Sequence, residues 1–306
     1  MLPGLSSAQP RYPSQPISLV APFARGGVLD GFSQMLAGQL SLELGQPVLV
    51  SYRDGACGTL GAKYVAKAAA DGYTLLLGAV HHAVAQSLNA QLGYDIREMT
   101  PVGYVGRVSH VLIVSNSFEA GSVIELIALL KTQPDRYSYA SLGVSSMQHM
   151  MAEQFRCTTG TRVKHVVYEG SSQALEDLAA GRTHLMFEPV PSALPYIRQG
   201  RVRAIAVTSA SRTRALPEVP TVAEAGSAGY GAACWLGLFA PDKLSQSVVL
   251  RLNQALNRAF SNPGFTEGWL MLGAEPGGGS PKALARMVAS EVARWAMVAD
   301  QAGISI

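Results

Sequence analysis

Apolar and polar positions alternate along the first half of the chain in blocks whose period switches between two and about 3.6 residues. Residues 17–21 are a short apolar run and predict a strand. Leu29, Phe32, Leu36, Leu40 and Leu44 recur at three- and four-residue spacing and predict an amphipathic helix over 29–44, stopped at Gly45. A second strand at 48–52, a glycine-rich turn at 55–61, a helix at 62–70 and a third strand at 73–78 complete two β-α-β units. Apolar strands joined by helices imply a mostly parallel sheet covered on both faces.

The pattern then restarts. Strands are expected at 111–114, 137–141, 164–168, 184–187, 203–207 and 235–240, with helices at 123–131, 147–157, 172–180 and 196–199 between them. The last third is helical, at 246–261, 265–272 and 281–301. This predicts an α/β chain of two lobes, with lobe 1 formed by 16–112 and 236–306, lobe 2 by 113–235, and a leader at 1–15. The last helices should pack back on lobe 1. The segments 111–117 and 234–240 are expected to cross between lobes as hinges, with the strand ends of both sheets facing a shared cleft.

Composition narrows the function classes. A net charge of +3 with no run of four basic residues describes solvated surface charge rather than a nucleic-acid face. No stretch approaches the roughly 20 apolar residues needed to cross a bilayer. Residues 2–9 are apolar and small, and fit either the tail of a signal peptide or a disordered leader. The three cysteines, Cys57, Cys157 and Cys234, form no C-x-x-C, so at least one thiol is free. The histidines show no metal-ligand spacing, and no G-x-S-x-G elbow is present. No metal, cofactor or catalytic residue is assigned.

Three strand-to-helix junctions carry candidate chemistry. In FARGGVLD at 23–30, Gly26 and Gly27 permit a tight turn and a close backbone approach at a helix N-terminus, where an anion is stabilised. The segments SLGVSS at 141–146 and YEGSS at 168–172 repeat the arrangement in the second half. Each alone also fits an ordinary structural turn or helix cap. Three at one topological end of the strands point to a binding cleft. Asp30 fits a capping role or a pocket role. Arg25 fits a carboxylate contact or a solvent-facing position.

The stretches PISLVAPFARGGVLD (16–30), LGQPV (44–48), GTLGA (58–62), DGYTLLLG (71–78), ALPEVPTVAEAG (215–226) and LGAEP (272–276) are co-linear with a known pattern. On them the chain resembles the Bug family of periplasmic receptors, the TctC-like solute-binding component of tripartite tricarboxylate transporters. The resemblance runs from about Pro16 to Ile306. It implies a two-lobed, type II-like Venus flytrap that binds a small carboxylate (a dicarboxylate, an amino acid or an aromatic acid). It also implies secretion to the periplasm through a cleaved signal peptide, transporter subunits as partners, and a monomer that is not an enzyme.

Carried over by position, the pocket takes Phe23, Gly27 and Asp30 from the first loop, and Ala79 and His81 after the third strand. From the second lobe it takes Ser141, Gly143, Ser145, Ser146, His149, Tyr168, Gly170 and Glu188. Arg25, Gly26 and Glu169 complete the candidate set. Arg25, Leu29, Cys57, Ser145, Glu169 and Glu188 each depart from the family's common residue, so the resemblance does not carry a ligand across. Two other classes compete. One is an α/β hydrolase or transferase acting on a carboxylate, and the other is a sensor subunit that presents the liganded form to a membrane regulator.

Overall fold

A computed structural model describes residues 12–89 and 91–304. Most of the expected leader, residues 1–11, lies outside them. Tyr12 already packs on the body, its hydroxyl donating to the Gly72 carbonyl at 2.6 Å.

The chain builds two sheets. The first uses β1 (Ile17–Ala21), β2 (Val48–Tyr52), β3 (Thr74–Ala79), β4 (Thr100–Val108), β10 (Cys234–Ala240) and β11 (Ala274–Pro276), in the order β11-β4-β10-β3-β1-β2. The second uses β5 (His110–Ser115), β6 (Ser138–Ser141), β7 (Lys164–Val167), β8 (Leu185–Pro189) and β9 (Val202–Val207), in the order β7-β6-β8-β5-β9. Both are mixed rather than mostly parallel. β1 runs parallel to β2 and β3, and β6 to β7 and β8, but β10 and β5 run antiparallel to their neighbours. β5 is the strand by which the chain enters the second sheet, and β10 the one by which it re-enters the first.

Both passages between the sheets lie earlier in the chain than the apolar runs suggested, and the return passage is longer. The chain leaves the first sheet at Ser109, between β4 and β5, and returns across 208–233, between β9 and β10. The segments expected as hinges lie in strands β5 and β10 instead. The two passages touch: Ser109 Oγ donates to Ser209 Oγ at 3.1 Å, and the Thr208 N–H donates to the His110 carbonyl at 2.9 Å.

The helices follow the strands. α1 (Val28–Leu44) buries Phe32, Leu36 and Leu40, one face of the expected helix, and ends on Gly45 at φ +71°. α2 (Thr59–Ala66) and α3 (Val80–Leu88) complete the first block, and α4 (Val123–Thr132), α5 (Met147–Thr159), α6 (Ser171–Ala179) and α7 (Val190–Arg198) serve the second. α8 (Gln246–Ser261) and α9 (Pro263–Met271) pack back on the first sheet's side, α8 against α1 and β4. α10 (Pro281–Ala302) buries Leu284, Val288, Val292, Trp295 and Ala299 at helical spacing. It packs on α3 and β4 and also reaches α5, so it spans both halves of the molecule. Each large side chain taken fully out of water here contributes about 1.5–3 kcal/mol.

Three elements escaped the periodicity: β4, α3 and the short β11. β4 contains Pro101, Gly103 and Gly106, which read as breakers. In the structure Gly106 holds φ +146° at a bulge opposite Leu236 and Gly237, where a Cβ would lie 2.4 Å from the Glu275 carbonyl oxygen. α3 carries His81 and His82 in its first turn, and their polar rings mask the buried face formed by Val80, Ala83 and Val84.

Candidate ligand-binding site

The starts of several helices converge on one cavity of about 610 Å³ between the two sheets. Its wall includes Val28 and Leu29 of α1, His81 of α3, Gln148 of α5, Ser171 of α6 and Ser192 of α7. Each lies within the first three residues of its helix, where backbone N–H groups lack intrahelical partners. Strand-to-helix junctions therefore supply the wall, as open α/β sheets do at their ligand crevices.

The two sheets contribute matching ends. α1 begins after Gly27 and α6 after Gly170, and neither helix has a side-chain cap. Both glycines line the cavity. α5 is capped by Ser146, whose Oγ accepts from the His149 N–H at 3.3 Å and donates to the Gly143 carbonyl at 2.7 Å. No charged side chain is among the described residues that line the cavity. Helix termini, hydroxyls, one amide and two imidazoles provide its polarity.

The imidazoles are His81 and His110. Neither Nδ1 has a hydrogen-bond partner among the described residues. Burial, together with the neighbouring His82 and His110, pushes the His81 pKa down to about 3. Burial does the same to His110, also to about 3, so both rings are neutral at neutral pH. Cys234 borders them from β10, its thiol pushed up to about 12 by burial. His82 stands behind the wall: the Ala79 N–H donates to its Nδ1 at 3.0 Å, which leaves the Nε2–H for the Gly58 carbonyl at 3.3 Å. This clamp positions Gly58 (φ +87°) against Phe23, the aromatic wall of the first loop.

Of the residues expected from the sequence, Phe23, Gly26, Gly27, His81, Ser146 and Gly170 line the cavity. Others stand behind it. Ala79 anchors His82. Ser141 Oγ is bonded to His165 Nε2 at 2.5 Å and accepts from the Gly143 N–H at 3.0 Å. His149 is buried against His165, with ring centroids 4.6 Å apart. Glu188 has no exposed surface and bonds Ser192 and Gln148, two residues of the wall.

The remainder do not face the cavity. Arg25 is exposed, its guanidinium 5.8 Å from the Tyr52 ring centroid. Asp30 Oδ2 accepts from the Gly26 N–H at 2.8 Å and Oδ1 from the Tyr52 hydroxyl at 2.6 Å. These bonds, Tyr52 first, hold its carboxyl below the usual range. Asp30 thus fastens the Gly26 turn. Tyr168 donates to Asp177 at 2.9 Å, and Glu169 is exposed. Gly143 (φ +103°) and Ser145 (φ +69°) shape the loop before α5. The left-handed backbone at Ser145 is the reason glycine suits that position.

Sequence reasoning missed His110, Cys234, Gln148 and Ser192. The first two sit in apolar strands. The last two sit in first helical turns, a position that the glycine loops do not mark. Among the described residues no cluster of three or more His, Cys, Asp or Glu side chains suits a metal ion, and no helix is long and apolar enough to cross a membrane.

Comparison with known proteins agrees with this geometry. Residues 32–304 match the model of the tripartite tricarboxylate transporter family receptor, TctC. The protein BugT of Bordetella pertussis is 35% identical over 298 residues, covering 96% of this chain and 91% of that protein. Among solved structures, R. palustris Rpa4515 with adipate is 37% identical, with a TM-score of 0.85 over 96% of this chain and 99% of that one. MatC (Rpa3494) from Rhodopseudomonas palustris with bound malate is 30% identical, with a TM-score of 0.81 over 94% of this chain and 99% of that one. The chain belongs to the tripartite tricarboxylate transporter receptor family, as a Bug-type solute-binding protein with the two-lobed α/β fold of its relatives.

Proposed function

We propose that this protein captures a small dicarboxylate in the cavity between its two sheets. It then presents the bound ligand to a tripartite tricarboxylate-type transporter from the periplasm, after removal of its leader. The observation that carries this is the pair of uncapped helix starts, Gly27 of α1 and Gly170 of α6, one from each sheet and both in the same cavity wall. A helix N-terminus stabilises negative charge through free N–H groups and its dipole. Two such ends fit the two carboxylates of one ligand. The adipate and malate named with two related structures are both dicarboxylates. In this reading the two sheets act as two lobes that close on the ligand, divided at Ser109 and within 208–233.

The hydrolase alternative gains little support from the geometry. Ser141 and His165 are hydrogen-bonded, but the serine is fully buried and does not line the cavity. A nucleophile there would not reach a bound ester.

Titration calorimetry tests the reading. C4 to C8 dicarboxylates should bind, their mono-amides more weakly, and their neutral diamides not at all. Equal binding of the neutral diamides would refute an anion cradle.

A further inference from the structure

His110 heads β5, is 2% exposed, and lines the cavity between the sheets together with His81 of α3. Its Nδ1 has no hydrogen-bond partner among the described residues, and neither has that of His81. A buried polar atom left unpaired costs as much as a lost hydrogen bond, so two in one wall mark places kept for a bound group. Phe23 links them to the Gly27 turn. Its ring meets the His81 ring edge-on at 5.0 Å, and all four residues share the wall. A carboxylate held at the start of α1 therefore lies beside these imidazoles.

The surroundings of His110 offer it no counter-charge. α3 supplies His81 and His82, both pushed towards the neutral form by burial. β10 supplies the Cys234 thiol, which burial also keeps neutral. The charged side chains of adjoining strands engage other partners. Arg107 of β4 pairs with Glu275, Glu188 of β8 bonds Ser192 and Gln148, and Arg203 of β9 donates to the Phe118 carbonyl. One neighbour favours a proton on the ring, the Val108 carbonyl of β4.

The acceptors around the ring then decide its charge. A neutral imidazole has one N–H and one acceptor nitrogen, whereas carbonyl and carboxylate oxygens only accept. With the Val108 carbonyl at one ring nitrogen, a ligand carboxylate at the other meets a lone pair unless the ring gains a second proton. In the free protein burial makes that proton unfavourable and holds the His110 pKa at about 3. A carboxylate about 4 Å away, at an effective dielectric of about 20, raises it by about three pH units, to about 6. A charge on His110 depresses His81 further, so His81 stays neutral and has a single N–H to donate.

We propose that ligand capture is proton-linked: His110 takes one proton from solution as a carboxylate of the ligand reaches its ring, and the complex holds an imidazolium–carboxylate pair. The proposal rests on the dicarboxylate reading above and adds a regulation of the same site, in which binding tightens as pH falls towards about 6.

Calorimetry with C4 to C8 dicarboxylates, malate and adipate among them, counts the protons when run in buffers of different ionisation enthalpy. Corrected for the ligand's own titration, the uptake should be below about 0.1 proton at about pH 7.5 and about 0.5 proton at about pH 6. Nitrogen NMR of histidine-labelled protein at about pH 6 should show one ring about half doubly protonated in the complex and neutral in the free protein. His110→Asn should lose both the signal and the uptake. Glu188, whose pKa burial raises, is the other buried group that an arriving anion can load with a proton, so Glu188→Gln should keep the uptake. The proton count on the natural protein decides the matter if His110→Asn does not fold. Binding without proton uptake at about pH 6, uptake that survives in His110→Asn, or uptake lost in Glu188→Gln would overturn this proposal and leave the dicarboxylate reading intact. Failure of every dicarboxylate to bind would overturn both.

Discussion

Between about pH 7 and pH 5 an unfolded chain protonates its histidines, while this fold resists doing so at the buried ones. The pKa values of His81 and His110 are pushed down to about 3 and that of His149 to about 4, burial being the leading cause in each case. Burial also lowers His82, His165 and His184. For a base whose folded value is depressed, the neutral form is the one the fold accommodates. Stability is therefore complete above the unfolded value of about 6.5 and is lost as pH falls below it, by about 1.4 kcal/mol per pH unit for each group. At about pH 5 this is about 2 kcal/mol each for His81, His110 and His149, about 6 kcal/mol together, against a usual total of about 5–15 kcal/mol. The carboxylates held low by hydrogen bonds, such as Asp30, Asp95 and Asp177, contribute stability that is present above their own unfolded values near pH 4 and is lost only below them. Glu188 acts in the opposite sense: burial raises its pKa, so its contribution is lost as pH rises through the folded value, and acid returns a little stability. Urea unfolding at a series of pH values should show the midpoint falling steeply from about pH 6.5 to about pH 5, and His110→Asn should flatten that slope by about 1.4 kcal/mol per pH unit. Stability that stays constant over this range, or a slope unchanged in His110→Asn, would refute the assignment of a buried neutral histidine set.

Three further substitutions probe the site. Gly58→Ala forces an L-residue to φ +87° and places a Cβ 3.0 Å from Phe23 Cζ. It should cost about 1–2 kcal/mol in thermal unfolding and weaken ligand binding through the displaced ring. Asp30→Asn removes the charged acceptor of the Gly26 N–H and the Tyr52 hydroxyl; calorimetry should show binding weakened about ten-fold, and Tyr52→Phe should move in the same direction. Arg25→Ala removes an exposed cation outside the cavity wall, so the affinity ratio of dicarboxylates to monocarboxylates should stay within about two-fold of the natural protein's; a selective loss for dianions would place the guanidinium at the ligand.

The fold was legible wherever burial follows a simple period. α1 reads from the sequence because Phe32, Leu36 and Leu40 fall on one helical face, and β1, β3 and β10 because they are buried along nearly their whole length. β4 was not legible, because its glycines serve contacts distant in sequence. Gly106 makes room for the backbone of β11 some 170 residues later, and Gly103 for Leu256 of α8. Local composition reports such glycines as a loop, since the partner that explains them is absent from the window. The passages between sheets were misplaced for a related reason. An apolar run at 111–114 looks like a link between two blocks, but its apolarity comes from lying in the middle of a sheet between β8 and β9.

The candidate site divides along the same line. Glycine turns at helix starts carry their own signal, since the backbone conformation they serve is local, as at Gly26 (φ +81°), and Gly26, Gly27 and Gly170 all line the cavity. Glu188 reads from the sequence as a departure from the family's common residue, which suggests a group touching the ligand. Its burial makes it instead the residue that orients Ser192 and Gln148, both ordinary-looking in sequence. His110 shows the limit most clearly. It follows directly on the residue where the chain changes sheets, and it pairs in register with Pro189 of β8. A single histidine at the head of an apolar strand has no local feature that separates a core position from a cavity wall. What places it in the cavity wall is the convergence of β5 with α3 and β10, three elements from different parts of the chain, around an Nδ1 that no group among the described residues satisfies. Polar atoms left unpaired in this way mark where the fold has reserved hydrogen bonds for something else, and only the assembled structure shows them.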